Sequence, residues 1–95
     1  MRNFFVFIKC ELGKAYDVAQ DIAWNMDPNP FLYSISGEFD LIAHFQVESD
    51  LDIGRFVNEE LHRVQGIRDT KTVIAFNTFG NDKGFPFDKG EAKPS

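Results

Sequence analysis

The sequence predicts an α+β fold in which a four-stranded antiparallel sheet is covered on one face by two helices. Four stretches rich in aromatic and β-branched residues have the composition of strands. Two other stretches repeat apolar residues at helical spacing. At 95 residues, the chain is long enough for one small domain with a single core.

The first half of the chain predicts a strand, a helix and a second strand. Residues 3–11 alternate apolar side chains over two faces, and Gly13 breaks that pattern. Apolar residues then recur at helical spacing from Ala15 to Met26. The segment 27–30 reads Asp-Pro-Asn-Pro and cannot continue the helix, because each proline disfavours helical geometry in the residue before it. The second strand is predicted over residues 31–36.

The second half predicts a strand, a helix and a final strand. Residues 40–48 form the third strand, close enough to the second for an antiparallel hairpin whose turn centres on Gly37-Glu38. Ser49 or Asp50 is the predicted cap of the second helix, and Gly66 is placed to end it in the left-handed conformation. The helix has its own apolar set: Ile53, Phe56, Val57, Leu61 and Val64. The last strand is predicted over residues 67–79. This β-α-β-β-α-β order is the ferredoxin-like arrangement.

The composition of the chain indicates its domain organisation and argues against some classes of function. We predict one domain over residues 1–79 and a flexible tail over residues 80–95, which are rich in Gly, Lys, Asp and Pro. The net charge of −5 argues against direct nucleic-acid binding, which needs clustered Lys and Arg. The single cysteine, Cys10, is predicted to be a buried thiol, and neither a metal nor a cofactor is predicted. No signal peptide or membrane span is apparent, so a cytoplasmic protein is expected.

The second face of the predicted sheet is unusually apolar. A sheet with one solvated face should alternate apolar and polar residues, but the first strand carries Phe on both faces. Two helices cover only one side, so the other face needs a partner. A second copy of the chain would form a homodimer, a dimeric α+β barrel. Alternatively, the tail folds back and covers the face with Phe85 and Phe87.

The sequence resembles the effector-binding, or RAM, domain of the Lrp/AsnC (feast/famine) transcriptional regulators. The resemblance covers about residues 5–79. It is carried by "SGEFDLIAHFQV", similar to the family's Gly–acid–aromatic–Asp hairpin, and by "LHRVQGIRDTKTVIAF", similar to its helix end and Thr-x-Thr strand. Full-length members have an N-terminal helix-turn-helix, for which there is no room here, so a stand-alone domain is expected.

The resemblance implies a small effector, usually an amino acid, that binds near the hairpin where dimers meet. Carboxylates could accept hydrogen bonds from its ammonium, turn N–H groups and hydroxyls could meet its carboxylate, and apolar side chains could form a wall. The candidate ligand-binding residues are Ser36, Gly37, Glu38, Phe39, Asp40, Thr70, Thr72 and Val73. The alternative is that the hairpin is only a turn, with Asp40 bonded to its own backbone.

Three functions are consistent with these patterns. The first is a stand-alone sensor that binds an amino acid and responds by oligomerising, in dimers or rings of dimers, or by associating with a full-length regulator. The second is a small barrel enzyme, monooxygenase- or isomerase-like, with His44, Tyr33 or Trp24 pointing into a cavity between sheet and helices. The third is an assembly protein without a ligand. The sequence favours the sensor, which is not an enzyme.

Overall fold

The computed structural model of the chain describes residues 1–48 and 50–77, and it confirms the predicted fold class. The elements are β1 (Arg2–Cys10), α1 (Ala15–Asn25), β2 (Phe31–Ser34), β3 (Leu41–Val47), α2 (Ile53–Phe56) with a π-helical turn (Val57–Leu61), and β4 (Ile67–Ala75). The strands form one antiparallel sheet in the order β2-β3-β1-β4. None of the helices in the described ranges is long and apolar enough to cross a membrane.

The strand register divides the side chains of the sheet into two sets, because directly paired residues lie on the same face. Val6 pairs with Ala43 and with Thr72, and this set faces the helices. Phe5 pairs with His44 and with Val73, and this set lies on the face away from the helices. We call the second set the open face. Its larger apolar and aromatic side chains are Phe5, Phe7, Phe31, Tyr33, Ile42, His44 and Val73.

The core lies between the helix-side face of the sheet and the two helices. Phe4 stacks on Phe45 with ring centroids 4.7 Å apart, and the Phe56 ring meets both rings edge-on. Val18 and Ile22 of α1 are fully buried against this cluster. Each such side chain contributes roughly 1.5–3 kcal/mol by leaving water. The helical periodicity in the sequence thus identified the buried side of both helices.

The beginning of α2 differs from the prediction. The N-cap of α2 is Asp52, not Ser49 or Asp50: its Oδ1 accepts a hydrogen bond from the Arg55 N–H at 3.2 Å. Asp50 lies in a turn, and Ser49 lies outside the described residues.

At the end of α1, the Asn29 side-chain amide donates to the carbonyl oxygens of Ala23, Ile22 and Met26. The Ile22 carbonyl also accepts from the Met26 N–H at 3.2 Å, whereas the carbonyls of Ala23 and Met26 lie at the end of the helix and receive the Asn29 amide as donor.

Gly66 has the predicted positive φ, but it does not end the helix. The helical turns end at Leu61, and Gly66, with φ +98°, follows a further turn and leads directly into β4. The Gly66 carbonyl accepts a hydrogen bond from the Glu11 N–H at 2.7 Å. A Cβ at this position would lie 2.8 Å from Val18 Cγ2 and 3.1 Å from Lys14 Cβ. The glycine is thus required both by its backbone conformation and by close packing against α1.

Two strands end earlier than the sequence predicted. β2 stops at Ser34, which pairs with Leu41, the first residue of β3. β4 stops at Ala75, which pairs with Asn3 near the beginning of β1. Both are edge strands with a single partner, so pairing ends with the partner. The predicted Phe79, like the whole tail at 80–95, lies outside the described residues.

The open face carries aromatic rings that contact one another across the strands. His44 stacks on Phe5 with ring centroids 4.4 Å apart and lies 5.9 Å from the Phe31 ring. Its Nε2 is 3.1 Å from Asn3 Oδ1, and because an amide oxygen can only accept, Nε2 is the donor. Phe31 and Tyr33 are 57% and 59% exposed. The apolar second face expected from the sequence is therefore present.

Candidate functional site

The β2–β3 connection is longer than the predicted two-residue turn. It spans residues 35–40, and the Ile35 N–H donates to the Asp40 carbonyl at 3.0 Å to close it. Gly37 has φ +112°, a conformation that side-chain-bearing residues rarely adopt. Ser36, Gly37 and Glu38 are all exposed at the tip.

Asp40 is tied to the first strand. Its Oδ2 accepts a hydrogen bond from the Cys10 N–H at 2.8 Å, and its own N–H donates to the Ile8 carbonyl at 2.9 Å. The pairing of β1 with β4 shifts register between Lys9 and Cys10, so the carboxylate supplies an acceptor where the regular ladder is interrupted. Asp40 therefore has a structural role across strands, rather than the bond to its own turn that the alternative interpretation expected.

Phe39 packs on the sheet. Its ring centroid is 5.6 Å from that of Phe7, a residue of the open face, and the side chain is half-buried. This contact anchors the hairpin tip against β1. The neighbouring Asp40 is consequently held at the end of the sheet.

The predicted β4 residues are divided between the two faces. Thr70 and Thr72 pair with Ile8 and Val6 on the helix side, whereas Val73 pairs with Phe5 on the open face. The Thr70 hydroxyl is 2.8 Å from His62 Nε2, and both residues line a small cavity of about 170 Å³ together with Ile67, Arg68 and Asp69. Thr70 reaches the same end of the sheet as the hairpin but lines a different cavity from Asp40.

A larger cavity of about 340 Å³ lies beside Asp40 at the end of the sheet, and we call it the Asp40 cavity. It is formed where β1 ends, where α1 begins and where β4 begins. Its lining is Lys9, Cys10, Glu11, Leu12, Gly13, Ala15, Tyr16, Asp40 and Arg68. Of the predicted site residues, Asp40 alone lines it.

The Asp40 cavity combines both charges with apolar surface. Lys9 and Arg68 offer cationic donors, and Asp40 and Glu11 offer carboxylates. The fully exposed Leu12 and the 92% exposed Tyr16 offer apolar area. Charge-assisted hydrogen bonds to a carboxylate and to an ammonium are therefore both available within one small volume. That is the chemistry needed to hold a zwitterion.

The pKa of the Cys10 thiol is affected by its neighbours in the wall of the Asp40 cavity. Burial raises the pKa of the Cys10 thiol, the nearby Asp40 carboxylate raises it further, and Lys9 acts in the opposite direction. The thiol is consequently held in its neutral form at neutral pH. This fits the buried, unreactive cysteine that the sequence predicted, since the thiolate is the reactive species.

Four residues that line the Asp40 cavity were not among the predicted site residues: Lys9, Leu12, Tyr16 and Arg68. A signal was available: in the predicted topology the end of the first strand and the beginning of the last lie next to each other. Lys9 and Arg68 occupy those two strand ends. The predicted topology therefore already implied that the side chains of Lys9 and Arg68 lie at the same end of the sheet.

The residues named for the enzyme alternative do not point into the core. His44 and Tyr33 lie on the open face, away from the helices. Trp24 is 76% exposed on the outer side of α1. The arrangement that this alternative required, with one of these groups inside a cavity between sheet and helices, is therefore not the one observed.

Comparison with protein-family models identifies the family. The model described as "Lrp/AsnC ligand binding domain" matches residues 3–85. The chain belongs to this family. Apart from Arg2 at the beginning of β1, its match covers every described strand and helix, so the resemblance found in the hairpin and the last strand extends to the whole fold. A search of the curated proteins finds no significant match.

Solved structures of similar fold include both small proteins and longer regulators. FFRP-DM1 is 26% identical with a TM-score of 0.71, and the match covers 80% of this chain and 100% of that one. The hypothetical protein PHS023 from Pyrococcus horikoshii is 26% identical with a TM-score of 0.69, over 82% and 93%. The transcriptional regulator NMB0573 from Neisseria meningitidis, solved as an L-Met complex, has a TM-score of 0.68 at 13% identity, over 80% and 50%. This last likeness shows the fold alone.

Proposed function

We propose that this domain is a regulatory sensor that binds an amino acid in the Asp40 cavity and catalyses no reaction. The observation that carries the proposal is the composition of that cavity, in which Lys9, Arg68 and Asp40 bring both charges together. In this arrangement Arg68 and Lys9 receive the ligand carboxylate and Asp40 receives its ammonium. The family assignment supports an effector-binding role. The L-Met complex of the structurally similar regulator supports the ligand class.

Asp40 can serve the fold and the ligand at the same time. Its Oδ2 is used by the Cys10 N–H, but an ionised carboxylate has about four acceptor sites over its two oxygens. The remaining capacity is available to an ammonium in the cavity. The other predicted contacts, at Ser36, Gly37, Glu38, Phe39, Thr70, Thr72 and Val73, remain predictions.

We also infer that ligand binding is linked to self-association through the open face. That face carries Phe5, Phe31 and Tyr33 on a sheet that has no helix on this side in the described part of the chain. A second copy placed there would complete the dimeric α+β barrel, and a ring of dimers or a full-length regulator of the same family would be the next partner. If the ligand binds one assembly state more tightly, mass action shifts the population to that state. Direct contact with nucleic acid forms no part of the proposal, given the net charge of −5.

A thermal-shift screen against the twenty amino acids tests the proposal. A ligand at a hundred times its Kd stabilises a protein by about 2.7 kcal/mol. For a domain of this size that corresponds to a Tm increase of roughly 10 °C or more. Arg68→Gln removes a cation, and Asp40→Asn removes the negative charge while retaining an oxygen for the Cys10 N–H. We expect each variant to weaken binding of the best ligand at least tenfold.

Arg63→Gln is the matched control, since Arg63 is an exposed arginine outside the cavity that pairs with Glu60 at 2.6 Å. It should bind the ligand as the wild type does. The proposal fails if no amino acid raises the Tm, or if Arg68→Gln and Asp40→Asn bind the ligand unchanged. Asp40→Ala is a less informative variant, because it also removes the acceptor of the Cys10 N–H.

A further inference from the structure

The outer face of α1 exposes aromatic side chains to solvent. Tyr16 is 92% exposed and Trp24 is 76% exposed. The helix buries its opposite side through Val18 and Ile22, so these two rings contribute nothing to the core. Tyr16, Gln20 and Trp24 succeed one another at four-residue spacing, which places them along one side of the helix. Ala23 is also exposed on this side.

Carboxylates flank this aromatic surface. Asp17 and Asp21, together with Gln20, Trp24 and Asn25, line a surface notch of about 270 Å³. The Asn25 amide donates to Asp21 Oδ1 at 2.8 Å and so holds that carboxylate beside the indole. Within the described part of the chain, neither aspartate takes part in a salt bridge.

Few basic residues lie near these aspartates in the sequence: Lys14 is three residues before Asp17, and the next Lys or Arg is Arg55. Between Lys14 and Arg55 the sequence contains no Lys or Arg. The same stretch contains the acidic residues Asp17, Asp21, Asp27, Glu38, Asp40, Glu48, Asp50 and Asp52. In the structure, Asp21 also lines a second notch with Glu60 and Arg63, which pair with each other. Acidic charge is thus in excess around Asp17 and Asp21, next to the exposed aromatic surface of α1. Such a surface attracts a cationic partner and slows an anionic one.

We propose that the outer face of α1 is a docking surface for a basic, amphipathic segment of another protein. An arginine or lysine of the segment lies over the Trp24 indole, between the carboxylates of Asp17 and Asp21. Apolar side chains of the same segment cover Tyr16 and Ala23. A cation within about 6 Å of an indole ring is attracted to its face, and adjacent carboxylates add charge-assisted hydrogen bonds. Tryptophan is also among the residue types most enriched at energetically dominant interface positions.

A second copy of the chain fits this surface poorly. A two-fold contact would place the same patch of both copies together and would oppose Asp17 and Asp21 with their own equivalents. Like charges placed across an interface repel each other and weaken the association. The partner is therefore a different, basic protein. This docking surface lies on the helix side of the molecule, away from the open face proposed for self-association.

The single tryptophan of the chain reports directly on this surface. The experiment titrates the whole protein, at low ionic strength, with a synthetic amphipathic peptide built from Lys, Arg and Leu. A peptide of the same pattern with Glu in place of the basic residues serves as the comparison. We expect the basic peptide to shift Trp24 emission to shorter wavelength with a saturable curve, and the acidic peptide to have no effect.

Variants separate this surface from a general attraction to an acidic protein. The double variant Asp17→Asn/Asp21→Asn should weaken peptide binding at least tenfold. Glu48→Gln/Asp50→Asn removes the same net charge from exposed positions elsewhere and should change binding less than twofold. Trp24→Ala, measured by calorimetry, should also lose at least tenfold in affinity.

Each contrary result overturns the proposal. It is wrong if Trp24 emission does not respond to the basic peptide, if the acidic peptide binds equally well, or if the two double variants weaken binding equally. It is also wrong if Trp24 becomes protected from acrylamide quenching as the concentration of the protein alone is raised, because a second copy would then be the occupant. Failure of amino-acid binding at the Asp40 cavity would leave this test unaffected.

Discussion

At the residue scale, two glycines with positive φ provide a matched test of why Gly66 is required. Gly13 has φ +78°, and a Cβ added there would meet nothing within 4 Å, whereas a Cβ on Gly66 would lie 2.8 Å from Val18 Cγ2. Gly13→Ala should therefore cost only the left-handed strain of about 1–2 kcal/mol. Gly66→Ala adds overpacking against α1 and should cost about 2–4 kcal/mol in total. Urea unfolding measures both, and equal losses would contradict the packing argument.

The raised pKa of Cys10 predicts a dependence of stability on alkaline pH. The folded state holds the thiol proton more tightly than the unfolded chain does, because burial and Asp40 oppose ionisation. This contribution is complete below the unfolded pKa of about 8.5 and is lost as the pH rises from there through the folded pKa. A comparison of the wild type with Cys10→Ala isolates this contribution, because all other ionisable groups are common to both proteins. The gap in free energy of unfolding between wild type and Cys10→Ala should narrow as the pH rises from about 8 to about 10.5, and a constant gap would contradict the prediction.

For Asp40, the sequence predicts the type of side chain and its place in the hairpin, but not its hydrogen-bond partner. Its place in a Gly–acid–aromatic–Asp hairpin could be predicted, and so could its chemistry as an acceptor. Its actual partner, the Cys10 N–H, is distant in sequence and becomes a neighbour only once β1 lies between β3 and β4. The division of Thr70 and Val73 between two faces likewise depends on the register with β1. Contacts of this kind are set by non-local pairing, which a local pattern does not specify.

At the element scale, the end of α1 depends on one side chain from the following connection. The Asn29 amide donates to the Ala23 carbonyl at 2.9 Å and to those of Ile22 and Met26 at 3.3 Å. Asn29→Ala should cost about 1 kcal/mol of stability through the lost hydrogen bonds. Asn29→Asp should cost more, because a carboxylate cannot donate and its charge opposes the negative end of the helix dipole. Urea denaturation should give the order wild type, Ala, Asp, and stabilities within experimental error of one another would contradict it.

The existence of every strand and helix followed from periodicity, but the π-helical turn at Val57–Leu61 and several boundaries did not. The apolar spacing of residues 15–26 predicts α1 because the helix must bury one side, and the structure buries Val18 and Ile22 there. The ends of β2 and β4 are set by where their single partner strand runs out. The sequence also does not identify Asp52 as the N-cap of α2, because Ser49, Asp50 and Asp52 all have side chains suited to capping.

At the scale of the whole molecule, we predict that the protein self-associates through the open face. Val73 is 41% exposed and pairs with Phe5 on this face, so a charge there would be trapped in a dimer interface but hydrated in a monomer. Val73→Glu should convert a dimer to a monomer in sedimentation velocity, with an unchanged far-ultraviolet circular dichroism spectrum.

Ala23→Glu is the control for that experiment, because it adds the same charge on the exposed outer side of α1. It should sediment as the wild type does. A monomeric wild type at high concentration, or a Val73→Glu variant that remains dimeric, would contradict the assignment of the open face as the dimer interface.

Amino-acid binding at the Asp40 cavity is tested most sharply by a nitrogen–proton correlation spectrum of the labelled protein, recorded during titration with the best amino acid from the thermal screen. We predict saturable shift changes that concentrate on the amides of the Asp40 cavity, from Lys9 to Gly13 and at Asp40 and Arg68, and that disappear in Arg68→Gln. Shift changes that avoid these amides, or that persist unchanged in Arg68→Gln, would contradict binding at this cavity.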